Sequence, residues 1–210
     1  MLLLIGVIFL VLLLLNLPIA FALALASIPV FLVSDYMPPA VALQRMYGAT
    51  LSYPLLAVPF FILAGNLMNT TGITERLLRF ARLLTGWMVG GLAQVSIVLS
   101  ALMGGISGAA VADAAMEARL LGPTMIARGY SRGFTASVIA FSSVITATIP
   151  PSIGLILFGF VNEVSIGRLL LGGVVPGVLM TVTLMVVTRL VAGRSGYAPE
   201  LKEQPSLREV

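Results

Sequence analysis

From Leu2 to Val33 the chain is apolar but for Asn16, Ser27 and the prolines Pro18 and Pro29, and comparable runs of Leu, Ile, Val and Ala recur as far as Val191. A soluble globule of 210 residues cannot hide that much apolar side chain: hydrophobic residues make up 59% of the sequence and charged ones 10%. A bilayer core holds no water, so backbone polar groups there must bond within the chain, as helices or closed barrels do. Barrel strands alternate apolar and polar residues. These runs do not, and the expected fold is an all-α polytopic membrane protein, with about 20 apolar residues per crossing. At about 1.5 Å per residue, Leu2 to Val33 would make a helix of roughly 48 Å. It is either one tilted, kinked helix or two short ones meeting near Asn16-Leu17-Pro18, where proline removes a backbone bond.

The net charge of +4 does not indicate nucleic acid, because the arginines sit at the ends of apolar segments and not in one patch. That distribution reads as positive-inside topology. The absence of Cys and His removes thiol chemistry, structural zinc and imidazole relays. No enzymatic activity and no cofactor are expected. Residues Met1 to Val33 lack a basic n-region, and their A-x-A patterns lie inside a run that stays apolar, so no cleaved signal peptide is expected.

Residues 1–70 are expected to be scaffold membrane helices, with a loop and short surface helix between Ser34 and Ser52 and a span from Tyr53 to Met68. Asn66, near the far end of that span, reads as a buried interhelical hydrogen bond worth about 1 kcal/mol, with a ligand role as the weaker reading. Residues 71–88 read as an amphipathic interfacial helix, with Arg76, Arg79 and Arg82 at i, i+3, i+6 opposite leucines. After a connector from Gly122 to Arg132, residues 133–165 form a broken helix and 168–192 a clean span. Residues 193–210 read as a cytoplasmic linker.

The stretch from Gly104 to Ala115 is Gly, Ala or Ser at nine of twelve positions. Arginines flank it on both sides, at Arg76 to Arg82 and at Arg119, Arg128 and Arg132. With basic residues on the cytoplasmic face, residues 89–121 must leave and return on one face, as a re-entrant hairpin turning near Gly104 to Gly108. The weaker reading is a Gly-xxx-Gly packing helix that crosses fully. An ionised Asp at bilayer depth costs about 2.5 to 3.5 kcal/mol, so Asp113 needs a partner. It either anchors the turn by accepting backbone N–H bonds or lends negative potential to a cation site. Glu117, at i+4, is expected as a solvated or Arg-paired charge at the cytoplasmic rim.

A second break lies at Pro150-Pro151. The prolines push Ile149 out of the α region and delete two donors, freeing carbonyls near Thr146 to Ile149. With hydroxyls beside them, those carbonyls suit sodium. The half-helix that resumes at Ser152 offers a positive dipole to an anion. The competing reading is a proline-kinked span whose hydroxyls bond back to their own helix. The two breaks are expected to face each other around a cation and an anionic substrate.

Several motifs carry a family resemblance: NLPIAFAL (Asn16 to Leu23), PFFILAGNLM (Pro59 to Met68), GISGAAVADAA (Gly105 to Ala115), Gly129-Tyr130, IPPSI (Ile149 to Ile153) and SIGRLLLGGVVPG (Ser165 to Gly177). In this order, over nearly the whole chain, they resemble the large membrane subunit of the tripartite ATP-independent periplasmic (TRAP) transporters. The resemblance implies one inverted repeat, the N-terminal half, of a sodium-coupled, elevator-type importer in the bacterial inner membrane. Its cargo would be organic acids such as dicarboxylates, sialic or sugar acids. Its partners would be a small membrane subunit, a periplasmic substrate-binding protein and a C-terminal second repeat in the same bilayer. Carried over by position, Gly104, Ser107, Thr146, Ile149 and Pro151 would hold sodium, chiefly through backbone oxygens, and Ser107, Gly108, Pro150 and Ser152 would border the substrate. The sequence departs from the family pattern at Ala109, commonly a serine, at Glu117, commonly a glycine, and at Thr146-Ala147, commonly Gly-Pro. A truncated, non-transporting assembly or regulatory subunit is the competing function. An ion channel is disfavoured, since no ring of acidic side chains or filter-like repeat is present.

Overall fold

The computed structural model describes residues 2–33, 39–51 and 53–200, and all regular structure among them is helical. The chain divides into two units, residues 1–52 and 53–210. The first contains α1 (Leu2–Leu14), α2 (Ile19–Val33) and α3 (Pro39–Thr50). The long apolar run is thus two helices: Asn16 adopts a left-handed φ of 63°, and Pro18 cannot extend the ladder. α1 and α2 pack on each other, with Ala22 and Ala26 buried, while Leu3 and Leu14 each stand 85% exposed. The loop expected at residues 34–38 lies outside the described residues.

The second unit contains α4 (Tyr53–Thr70), α5 (Ile73–Thr85), α6 (Gly91–Gly104), α7 (Ala110–Leu120), α8 (Gly122–Ala127), α9 (Arg132–Thr148), α10 (Ile153–Val161) and α11 (Ile166–Arg194). α6 and α9 run parallel at its centre. Ser96 Oγ meets Ser142 Oγ at 3.2 Å and the Thr146 hydroxyl donates to the Ser100 carbonyl at 2.9 Å, both pairs 46 residues apart. α7 runs antiparallel to both, because Glu117 sits at the level of Ser96 and Ser142 and Asp113 at that of Ser100 and Thr146. α11 descends beside them, Gln94 Nε2 donating to the Met185 carbonyl at 2.9 Å.

Polar side chains are buried inside this unit beside an apolar core, and large apolar side chains also cover its outside. Gln94, Ser96, Ser100, Glu117, Ser142, Thr146 and Ser152 are fully buried, whereas Val111 is 85% exposed and Leu171 and Val175 are each 74% exposed. A surface of that kind requires an apolar solvent. Among the described residues one helix, Ile166–Arg194, is long and apolar enough to cross a membrane, with a mean hydropathy of 2.2. The pair α9 and α10, bent by 48° at residues 149–152, has the composition of a broken span.

Two expectations change here. Asn66 is exposed, not buried, because the face of α4 turned inward is the one carrying Gly65. The segment after α11 does not read as a free linker over its described part. Tyr197 stacks on Tyr130 at 4.4 Å and its phenolic oxygen accepts the Ser131 N–H at 3.1 Å. The Glu200 N–H donates to the Gly86 carbonyl at 2.8 Å and its carboxylate lies 3.5 Å from Arg82. Three aromatic and backbone anchors thus return the chain to the end of the unit where α5 finishes and α6 and α9 begin.

Candidate functional site

Both ends of the hairpin come back to that same end of the unit. Arg82 pairs with Glu200, and Arg128 lines a small cavity with Glu200, Tyr130 and Leu92. The turn between α6 and α7 lies at the opposite end. Small residues build it because it touches another backbone. A Cβ on Gly104 would stand 2.9 Å from Ile149 Cβ and 3.3 Å from Thr146 Cα. Gly108 has a φ of +57°, and a Cβ there would collide with the Pro151 carbonyl oxygen and lie 3.0 Å from Ser152 Cα. The turn and the proline break therefore lie against each other.

Ile149 is extended, with φ −73° and ψ 129°, as a residue before proline must be. With proline at positions 150 and 151, the carbonyls of Thr146 and Ala147 lose their i+4 donors. The Pro151 oxygen points at the turn, while the Thr148 oxygen points at Gly173 of α11, where a Cβ would be 2.6 Å away. Ile149 is also gripped by Gly177, whose Cβ would stand 2.5 Å from Ile149 Cγ1. Carbonyl oxygens without helical donors thus stand at a break held on two sides by glycine.

The remaining candidates divide. Ser107 is half-buried in the turn, against Gly65 of α4, and its hydroxyl lies 3.4 Å from the Met103 carbonyl. Ser152 is fully buried and caps α10, its side chain accepting from the Leu155 N–H at 3.4 Å. Thr146 is fully buried, but its hydroxyl is engaged with the Ser100 carbonyl and Asp113, leaving its own carbonyl to face the break.

Of the two acidic residues, Asp113 departs from one of its two expected roles and Glu117 from its only one. Asp113 does not anchor the turn through backbone N–H groups: its Oδ2 meets the hydroxyls of Ser100 at 2.8 Å and Thr146 at 2.6 Å. It is the fourth residue of α7, already past the turn, so its side chain reaches the neighbouring helices. Glu117 is not a rim charge. It is fully buried, with Ser96 and Ser142 at Oε2 and Ser100 at Oε1. The i+4 spacing that suggested a solvated charge instead puts it on the same inward face as Asp113. Sequence reasoning missed Ser96 and Ser100 altogether. The available signal was a polar pair at i, i+4 on each of three helices: Ser96/Ser100, Asp113/Glu117 and Ser142/Thr146.

Comparison with known proteins follows the same lines. The family described as Tripartite ATP-independent periplasmic transporter, DctM component, matches residues 6–209. The sialic acid TRAP transporter large permease protein SiaM of Vibrio cholerae is 38% identical over 182 residues, 87% of this chain and 43% of its own length. The 2,3-diketo-L-gulonate TRAP transporter large permease protein YiaN of Escherichia coli is 38% identical over 81% of the chain and 40% of its own length. The C4-dicarboxylate TRAP transporter large permease protein DctM of Vibrio cholerae is 38% identical over 83% and 39%. The chain spans less than half the length of these relatives.

Proposed function

The chain belongs to the DctM-component family of the tripartite ATP-independent periplasmic transporters, a membrane-embedded family, and from this we propose that it forms the first half of the permease of a sodium-coupled organic-acid importer. It would be a multi-pass protein of the bacterial inner membrane. The observation that carries the reading is the contact of Gly104 and Gly108 with the break at Thr146 to Ser152. α6 and α7 would form a re-entrant hairpin, and the free carbonyls at the break would take the ion. The dipole of α10, capped by Ser152, would face the carboxylate of the cargo. A second repeat would close the site, and the two would move together as an elevator against the scaffold helices. Relatives named for sialic acid, C4-dicarboxylates and diketogulonate support an organic acid as the cargo class proposed for this chain. A small membrane subunit and a periplasmic binding protein would complete the system.

The test is a fusion of this chain to the remaining C-terminal portion of the Vibrio cholerae sialic acid permease, reconstituted with that system's other subunits. Sialic acid uptake should follow an inward sodium gradient and stop without the fused portion. A stably assembled particle with no uptake would instead favour a non-transporting assembly subunit. Sodium-driven uptake by this chain alone would refute the half-permease reading.

A further inference from the structure

α5 lies where three media meet, and its side chains are sorted among them. It turns 73° away from α4, so with α4 across the bilayer α5 runs close to the membrane surface. At about 100° per residue, Thr74, Ala81 and Thr85 fall on one side of the helix, and all three are buried against the rest of the unit. The exposed arc opposite them has two halves. Glu75, Arg79 and Arg76 follow one another around the first, and Phe80 and Leu84 form the second, beyond Arg76. Phe80 is 37% exposed and Leu84 44%. Trp87, just past the helix, is also partly exposed, and its indole N–H donates to the Leu84 carbonyl at 2.8 Å. A basic edge thus runs directly into an exposed apolar one, which ends in an aromatic ring of the kind that settles at headgroup level.

The charge of that basic edge is not balanced from within the chain. Arg82 has the Glu200 carboxylate at 3.5 Å. Glu75 shares a groove of about 410 Å³ with Arg119 of α7, which offsets it. Arg76 and Arg79 are both exposed, and among the described residues neither side chain has an ion pair or a hydrogen bond. α4 and α6, which pack against α5, carry no acidic residue. Two cations are therefore left over beside Phe80. Their complement is an anion attached to hydrocarbon, and an anionic phospholipid supplies both parts in one molecule. An acidic peptide would meet the arginines, but nothing requires it to bring hydrocarbon to the same place.

We propose that Arg76 and Arg79 hold the headgroup of an anionic phospholipid whose acyl chain lies along Phe80, Leu84 and Trp87. Attraction of basic side chains to an anionic lipid surface enriches that lipid by about fivefold per arginine. The site is on the outer face of α5, separate from the carbonyls at the break, and does not depend on the ion reading. Its occupant ties the start of the hairpin to the membrane surface.

Trp87 is the single tryptophan in the sequence, so its fluorescence reads this site alone. The full chain is reconstituted in vesicles of phosphatidylcholine and phosphatidylglycerol at one composition, with bromine on the acyl chains of one lipid or the other at equal mole fraction. Bromine quenches tryptophan only near contact. Brominated phosphatidylglycerol should quench Trp87 at least about twofold more than brominated phosphatidylcholine. Arg76→Gln combined with Arg79→Gln should remove the excess while circular dichroism stays helical. The comparison of the two lipids on the wild-type chain decides even where the double variant fails to fold. Equal quenching by the two lipids overturns the proposal and leaves the arginines to another partner, such as an acidic protein segment. An excess that survives the double substitution overturns it as well. So does an excess abolished by inorganic phosphate but not by chloride at equal ionic strength, which would make the site one for a free anion.

Discussion

Gly108→Ala separates the facing-breaks arrangement from an ordinary turn. At φ +57° an alanine pays the left-handed penalty, about 1–2 kcal/mol. Its Cβ would meet the Pro151 oxygen, with Ser152 Cα at 3.0 Å and Ile153 N at 3.1 Å, all backbone atoms that cannot rotate away. Overpacking of that kind adds about 1–3 kcal/mol, for a total of roughly 2–5 kcal/mol. Gly105 provides the control. It is exposed, with φ −66°, and a Cβ there meets nothing closer than the Leu102 oxygen at 3.5 Å, so alanine should stay within about 1 kcal/mol of wild type. Equilibrium unfolding in mixed micelles, followed by circular dichroism, measures both. Since 1.4 kcal/mol is a factor of ten, Gly108→Ala should shift the folding constant by about 30-fold to several thousand-fold. Equal stabilities for the two variants would mean that the turn does not press on the break.

Two further outcomes follow from the polar interior and the aromatic end. Thr146→Val keeps the side-chain volume but strips a hydroxyl from Asp113 Oδ2 and the Ser100 carbonyl, and should cost about 1–3 kcal/mol in the same unfolding assay; no loss would mean that the hydroxyl bridges nothing. The stacked tyrosines should ionise in a fixed order. The Ser131 N–H donated to its oxygen holds Tyr197 below the usual phenol value, and burial holds Tyr130 above it. Folding therefore favours the Tyr197 phenolate, a contribution present at alkaline pH and lost as pH falls through its folded value. It favours the neutral Tyr130 phenol, a contribution lost as pH rises through its own folded value. Absorbance titration of Tyr130→Phe and Tyr197→Phe should show Tyr197 titrating first, and the reverse order would contradict the docked tail.

The helices and both breaks were legible because prolines and glycines act locally. Pro150-Pro151 fixes where α9 ends whatever surrounds it, and the Gly104 to Gly108 cluster marks a place where backbone meets backbone. Asn16-Leu17-Pro18 left one helix or two open, since a proline kink and a full turn differ only in the packing that follows. Glu117 was misread for a related reason: hydropathy assigns a charge to water, while its burial depends on Ser96 and Ser142, which lie far away in sequence and meet it only once α6 and α9 run parallel. The docking of Tyr197 and Glu200 was hidden likewise, because a polar, proline-containing tail has the composition of a linker and its anchors are backbone groups at Gly86 and Ser131.

The central claim is that residues 89–121 enter and leave the membrane on one face, which brings the turn to the break at membrane depth. The direct test uses the absence of cysteine in the sequence. Single cysteines in place of Arg82 and Arg128, in oriented membranes, are exposed to an impermeant thiol reagent from each side in turn. Both should label from the cytoplasmic side and neither from the other; labelling of one from the cytoplasm and the other only from outside would mean that the segment crosses fully, and the re-entrant account would fall.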